Sequence, residues 1–293
     1  MHRDRTTFRG AAEHSDKSAA IRPAPRAAPM RSQAFVEPPP IDPDRPIGSL
    51  RVLTYNVRRC LGLDGAYSTE RIARVIARTG AEIVALQELD LGRARSGGVD
   101  QAAEIGAALG MDLFFHPAMT VLEERYGDAI LSAPNIRLVK AAAISEGPAR
   151  WSREPRGALW AEATIDGAAV QIVTTHFGLW RGERRAQAET MLGPEWLGHP
   201  DCRSPIVLLG DFNSVPTSRA YKRLAERLRD AQSVQPHVDA RTYPTRRPLL
   251  RIDHIFVSEE VEVRGLWAVR NPEALVASDH LPLCADLRVP APG

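Results

Sequence analysis

The chain has 293 residues, 44% of them hydrophobic, and 38 basic against 36 acidic side chains leave a formal net charge of +2. That is enough apolar material for a substantial core in one large domain or two ordinary ones, so a globular fold follows. The near balance of charge excludes any whole-molecule electrostatic pull toward nucleic acid or an anionic membrane.

Three cysteines, Cys60, Cys202 and Cys284, lie far apart and in no metal-ligand spacing, which argues against a disulfide framework or a zinc site and for buried, inert thiols. No apolar run approaches the roughly 18 residues of a membrane span, and the N-terminus lacks the uninterrupted apolar stretch of a secretory signal. A cytoplasmic location is the resulting expectation, with no transmembrane segment.

Residues 1–47 are rich in Ala, Pro, Arg and Ser, include Glu37-Pro38-Pro39-Pro40 and show no hydrophobic periodicity. Such a stretch cannot offset its ordering entropy by burial and is expected to be a disordered tail. Asp4, Glu13 and Asp16 argue against an organelle transit peptide, and Met30 is an alternative start. Residues 48–293 are expected to form a single domain.

Within it, Leu50–Tyr55 and Glu82–Leu86 read as buried strands around a helix from Glu70 to Arg78, whose Ile72, Val75 and Ile76 share a face. Ser68 or Thr69 supplies the N-cap and Gly80 the stop, giving a βαβ opening. Further apolar runs fall at Ala129–Leu131, Ile136–Ile144, Ala158–Ile165, Val170–Thr175, Ile206–Leu209, Ile252–Val257 and Leu281–Leu287. Helices are expected over Ala102–Leu109, Gly182–Leu197 and Ser218–Leu228. The mixture suits two packed sheets with helices outside, a layered α/β (α+β) architecture.

Four of these runs finish in polar groups: Asn56, Glu88, His176 and Asp211. Asp253 and the pair Asp279-His280 open two others, so antiparallel neighbours would bring them to the same edge. If the strand ends coincide, these side chains converge on one cleft. Carboxylates gathered in this way repel one another unless a cation sits among them. Oxygen ligands suit a hard ion such as Mg²⁺ or Mn²⁺, whereas zinc would want more His or Cys.

In order, Thr54-Tyr55-Asn56-Val57, Leu86-Gln87-Glu88, Thr175-His176-Phe177, Gly210-Asp211-Phe212-Asn213-Ser214, Ile252-Asp253-His254 and Ser278-Asp279-His280 resemble the endonuclease/exonuclease/phosphatase superfamily of deoxyribonuclease I-like metal-dependent phosphoesterases. The resemblance spans Leu50 to Leu287 and implies a four-layer sandwich of two mixed β-sheets flanked by helices, with a divalent-metal mechanism. It implies Glu88 as the main metal ligand, with Asn56 helping to hold the metal or its water and Asp279 on the metal side. Asp211 and Asn213 would position the attacking water and the phosphoryl group, Asp253 would orient His280, and His176 would donate to a phosphate oxygen. Both Asp211 and His280 are open as general base.

Plainer readings exist for single residues. Asn56 could begin a turn, Glu88 could be an exposed strand end, and His176 a satisfied core-edge residue. His254 points to the opposite strand face from Asp253 and reads as structural. Arg156 could clamp a phosphate or be a surface residue. Asp128 stands where the resembling families usually carry Asn, which removes a donor from that segment. Arg246, Arg247 and Arg251 could border the cleft, although a solvated basic loop is the simpler reading.

The expected function is metal-assisted attack of water on a phosphodiester. Nucleic acid stands slightly ahead of phospholipid head groups or small inositol-type phosphoesters, although the basic residues are dispersed and only 6% of residues are aromatic. A non-catalytic binding module is the competing class, and a monomer is expected.

Overall fold

The computed structural model describes residues 35–121, 124–145 and 155–291. Strand β1 (Ser49–Asn56) is followed by helix α1 (Thr69–Ala77), and β2 (Ile83–Leu91) pairs parallel to β1, completing the expected βαβ unit. Ser68 caps α1 by accepting from the Arg71 N–H at 3.0 Å, and the helix buries Ile72, Val75 and Ile76. Helix α2 (Gln101–Leu109) then leads to β3 (Asp112–Val121), β4 (Glu124–Ser132) and β5 (Ile136–Ala143). Strands β6 (Gly157–Ile165) and β7 (Ala168–His176) form a hairpin, followed by α3 (Arg181–Leu192), β8 (Ile206–Asp211) and α4 (Arg219–Ala225). The chain closes with β9 (Arg229–Asp230), α5 (Ala231–Val234), β10 (Asp253–Val257), β11 (Glu262–Ala268), α6 (Ala274–Ala277) and β12 (Leu283–Arg288).

Two mixed sheets of six strands result, ordered β11-β12-β1-β2-β4-β3 and β5-β6-β7-β8-β10-β9. Alternation along each central strand decides the layering. Val52 of β1 and Ile83 and Ala85 of β2 face Leu159, Ile172, Val207 and Ile255 between the sheets. Leu53, Val84 and Leu86, on the opposite face, bury under α1 and α2. Val173, Leu208 and Phe256 do the same under α3 and α4. The architecture is therefore a four-layer α+β sandwich, as the resemblance implies.

Three strands have no counterpart in the expected runs: β3, β9 and β11 all lie at sheet edges. Edge strands tolerate Pro and half-polar sequences, and β3 carries Pro117 at a register shift, while β11 shifts register between Val263 and Gly265. Helix α3 stops at Leu192 rather than Leu197, because Gly193 precedes Pro194 and the residue before a proline avoids helical geometry.

Residues 35–47, placed in the tail by composition, lie against the folded body. Val36 pairs with Arg270, Glu37 pairs with Arg78 and accepts from Asn271, and Arg45 pairs with Glu82. Residues 1–34, with the transit-peptide and Met30 readings, lie outside the described residues. None of the helices among the described residues is long and apolar enough to cross a membrane, and all three cysteines are free and buried.

Gly210 shows how the sandwich constrains the site. A Cβ there would come within 2.0 Å of the Thr175 carbonyl oxygen of neighbouring β7. Gly210→Ala must push β8 off β7, and we expect it to cost about 1–3 kcal/mol in urea unfolding. It should also displace Asp211 and depress activity. Wild-type stability in that variant would show that the close approach of the strands is not needed.

Candidate active site

The parallel pairs β1–β2 and β7–β8 end at one edge of the sandwich, and β10 begins opposite the end of β8, with Asp253 in register with Asp211. Asn56, Glu88, Arg156, His176, Asp211, Asn213, Asp253, Asp279 and His280 meet here, joined by direct contacts.

Asn56 is the hub. Its Nδ2 donates to Glu88 Oε1 at 3.0 Å and to Asp211 Oδ2 at 3.0 Å, tying one sheet to the other, while its Oδ1 accepts the Arg58 N–H at 3.0 Å. The amide therefore fastens two carboxylates rather than turning its oxygen toward them. Ser278 donates to the Asn56 carbonyl at 2.7 Å, with its Oγ 3.4 Å from Asp279 Oδ1, and Arg58 Nε stands 3.5 Å from Asp279 Oδ2.

Glu88 does not end its strand as expected. Strand β2 continues to Leu91, with a register shift between Leu86 and Leu89. Glu88 sits within that irregularity at φ 64°, a left-handed conformation that costs energy for a residue with a Cβ. The bulge re-aims its side chain. Among the described residues, the Asn56 amide is the only hydrogen-bond partner of Glu88, and no cation pairs with it.

His176 is buried. Arg156, also buried rather than at the surface, places Nη1 3.0 Å from His176 Nδ1. Guanidinium can only donate, so Nδ1 is the acceptor and the ring proton is on Nε2, which makes the 3.2 Å approach of Asn213 Nδ2 to Nε2 a meeting of two donors and not a hydrogen bond. Burial, with help from the Arg156 and His280 charges, pushes the His176 pKa well below its ordinary value, so the ring is neutral. Its Nε2 lies 3.5 Å from Asp211 Oδ2. Asn213, at φ 47°, donates to the Phe177 carbonyl at 2.9 Å, and its own N–H donates to Asp211 Oδ1 at 2.8 Å.

On the other side of Asp211, His280 Nε2 is 3.8 Å away, and His280 Nδ1 meets Asp253 Oδ2 at 2.9 Å. Burial works to lower the His280 pKa, but the carboxylates of Asp253, Asp211 and Asp279 outweigh it and raise it, so the ring is an imidazolium. Asp211 is driven upward by burial and by Asp253, with His280 and the Asn56 amide opposing. Thr242 donates to Asp253, and Tyr243 packs 4.8 Å from the His280 ring. Arg58, Thr242 and Tyr243 escape a reading by strand ends because they sit in loops. Thr242-Tyr243, shortly before the Asp253 strand, is the one available signal.

The other basic and histidine positions are structural or peripheral. His254 is buried, with Nε2 2.7 Å from the Ser214 carbonyl and its ring against Tyr221. Arg251 reaches Asp230 and His254 and does not border the cleft. Arg246 and Arg247 are exposed, and Asp128 is buried in β4 opposite His116.

Burial, then the Arg251 charge, lowers the His254 pKa from 6.5 to about 4 against the pull of Asp230. The folded value lies below the unfolded one, so between about pH 6.5 and 4 the unfolded chain binds more protons. This contribution, about 3 kcal/mol, is present above pH 6.5 and lost as pH falls through 4. The stability gap between wild type and His254→Asn, measured by urea unfolding, should narrow by that amount from pH 7 to pH 4. An unchanged gap would mean that the ring is not held neutral.

A cation fits the donor set. Glu88, Asp211, Asp253 and Asp279 offer hard oxygens, the buried Asp253 Oδ1 has no hydrogen-bond partner, and Glu88 lacks a counter-charge among the described residues. Asp211, Asp253 and His280 bring donor atoms within 4.8 Å of one another. His280 is already protonated there, so this trio is compensated by its own imidazolium, and the uncompensated oxygens lie on the Glu88 side.

A four-layer sandwich that gathers carboxylates, an amide and two differently protonated histidines where its two central parallel strand pairs end defines the deoxyribonuclease I-like phosphoesterase class. The model of the endonuclease/exonuclease/phosphatase family matches residues 53–280, and the chain belongs to that family, whose members are hydrolytic phosphoesterases. An Escherichia coli relative, the uncharacterized protein YbhP, is 28% identical over 171 residues, covering 57% of this chain and 64% of YbhP. The chain thus spans a little under two thirds of the curated relatives it matches. A solved endonuclease/exonuclease/phosphatase from Beutenbergia cavernae is 22% identical, covers 82% of this chain and 72% of its own, and superposes with a TM-score of 0.65. The mannosyl-6-phosphatase Bt3783 of Bacteroides thetaiotaomicron is also 22% identical, covering 81% and 99%, with a TM-score of 0.64. These structural likenesses concern the fold.

Proposed function

We propose that the protein hydrolyses a phosphodiester with the help of a divalent cation, Mg²⁺ or Mn²⁺, held by Glu88 and Asp279. One observation carries this reading: a continuous chain of contacts runs from Asp279 through Ser278 to Asn56, then to Glu88 and Asp211, and from Asp211 to His176 and His280. When bound, the cation would supply Lewis-acid stabilisation of phosphoryl charge.

The protein's own groups account for the rest. Asn56 aligns the carboxylates of Glu88 and Asp211. Neutral His176 donates from Nε2, its tautomer enforced by Arg156, and imidazolium His280 donates from its own Nε2, held by Asp253. A phosphoryl group between the two histidines would meet donors from both sides, which is what phosphoryl transfer chiefly requires. Asp211, with its raised proton affinity, stands beside both and is the group we assign to accept the proton of the attacking water. Asn213 positions that carboxylate through its backbone N–H. Arg156 acts on phosphate through His176. A cytoplasmic location is part of the same reading, supported by the three free cysteines.

Chelation followed by Mg²⁺ or Mn²⁺ addition tests the proposal. The midpoint of thermal unfolding should rise with metal, by about 2.7 kcal/mol of stabilisation at a hundredfold excess over Kd. Hydrolysis of plasmid DNA, RNA, phospholipid vesicles, inositol phosphates or aryl phosphodiesters should appear only in its presence. Equal midpoints and equal turnover after chelation would remove the cation from the mechanism.

A further inference from the structure

A cavity of about 360 Å³ opens beside the catalytic edge, lined by Arg181, Arg184, Arg185, Ser218 and Arg219. Helix α3 delivers three of these arginines immediately after the loop that follows His176. Helix α4 delivers the fourth immediately after the loop that follows Asp211 and carries Asn213. Sheet 2 places these loops side by side, because β7 and β8 are parallel neighbours.

Many guanidiniums of the chain are neutralised by a carboxylate, and among the described residues these four are not. Arg45, Arg51, Arg71, Arg95, Arg223 and Arg241 each hold a carboxylate. Arg181, Arg184, Arg185 and Arg219 form no ion pair among the described residues. Arg184 is half-buried and anchored by its donation to the Leu179 carbonyl. Burial and the neighbouring Arg181 charge lower its pKa, with Glu183 and Asp211 opposing, so the cluster repels itself.

Arg181 also opens the first turn of α3, where the helix dipole disfavours positive charge. Repulsion, uncompensated charge and adverse dipole would all be relieved by one ligand type, an anion received in the cavity.

We propose that this cavity is an anion-binding subsite that receives a phosphate group other than the one being hydrolysed. Resting on the phosphoesterase reading, it makes the preferred substrate one with at least two phosphates, the second extending from the catalytic edge toward the N-termini of α3 and α4. The subsite is a binding element: it would lower KM and leave the chemical step alone.

The test compares two substrates that differ by one phosphate, thymidine 5′-(p-nitrophenyl phosphate) and its 3′-phosphorylated derivative, with the full chain in Mg²⁺ or Mn²⁺. The variant is Arg181→Gln/Arg185→Gln/Arg219→Gln, which changes only exposed side chains and leaves Arg184 in place. We expect its KM for the two-phosphate substrate to rise about tenfold at unchanged kcat, and its KM for the one-phosphate substrate to move less than about twofold.

In a second arm, inorganic phosphate is titrated into the chelated chain, whose catalytic centre then presents bare carboxylates. Wild type should bind phosphate and the triple variant should not. Phosphate binding lost without any change in KM would mean that the cavity takes a free anion and no part of the substrate, and would overturn the substrate subsite. If wild type bound phosphate in this way but hydrolysed neither substrate, the subsite would stand and the catalytic reading would fall. Equal KM effects on both substrates, or no change in either arm, would overturn the subsite.

Discussion

Glu88→Gln loses at least about a hundredfold in kcat while its unfolding curve in chelated buffer stays at the wild-type midpoint or above it. The magnitude follows from the proposed role, since even groups that merely support a metal ligand typically contribute about 10- to 100-fold. Stability follows from the geometry. A glutamine keeps the length of the side chain and can still accept the Asn56 N–H at Oε1, so the tie between the sheets survives. What disappears is one negative charge, on a carboxylate with no paired cation among the described residues, and that removal is not destabilising. The metal-induced rise in midpoint should shrink with it. Wild-type turnover on any good substrate, or an undiminished response to Mg²⁺, would show that Glu88 does not hold the ion.

Asp253→Asn is expected to lower kcat by about 10²- to 10⁴-fold, the range for losing a correctly charged and oriented histidine. Asp253 both orients His280 at Nδ1 and heads the carboxylates that outweigh burial and keep the ring protonated. With an amide there, burial gains ground and the His280 pKa falls, so the remaining activity should decline at lower pH than in wild type as the ring loses its proton. The fold should suffer much less than the rate, because the asparagine oxygen can still accept from Thr242 and a buried charge beside Asp211 is removed. A pH–rate profile and urea unfolding on the same preparation separate these effects. If kcat stayed within about threefold of wild type, His280 would not act as a held imidazolium.

The central strands were legible because they are buried on both faces and read as unbroken apolar runs. The edge strands β3, β9 and β11 were not, since half-exposed strands carry Pro, Glu and Arg among their apolar residues. The same contrast runs through the site. Asn56, His176, Asp211 and Asp253 stand at strand termini, where a polar residue beside an apolar run is conspicuous. Arg58, Thr242 and Tyr243 come from loops, where polar residues are ordinary.

By itself, the sequence determined the layers, the chain order of the six site segments and the identity of the groups able to do chemistry, because side-chain periodicity and residue type are local properties. Only the tertiary structure decided what those groups are. Two histidines with the same intrinsic pKa become a neutral donor beside Arg156 and an imidazolium between Asp253 and Asp211. Glu88 is turned toward the cleft by a bulge, and Arg219 joins Arg181, Arg184 and Arg185 around one cavity. Protonation, orientation and clustering depend on distances between residues remote in sequence, and those distances exist only once the two sheets have packed.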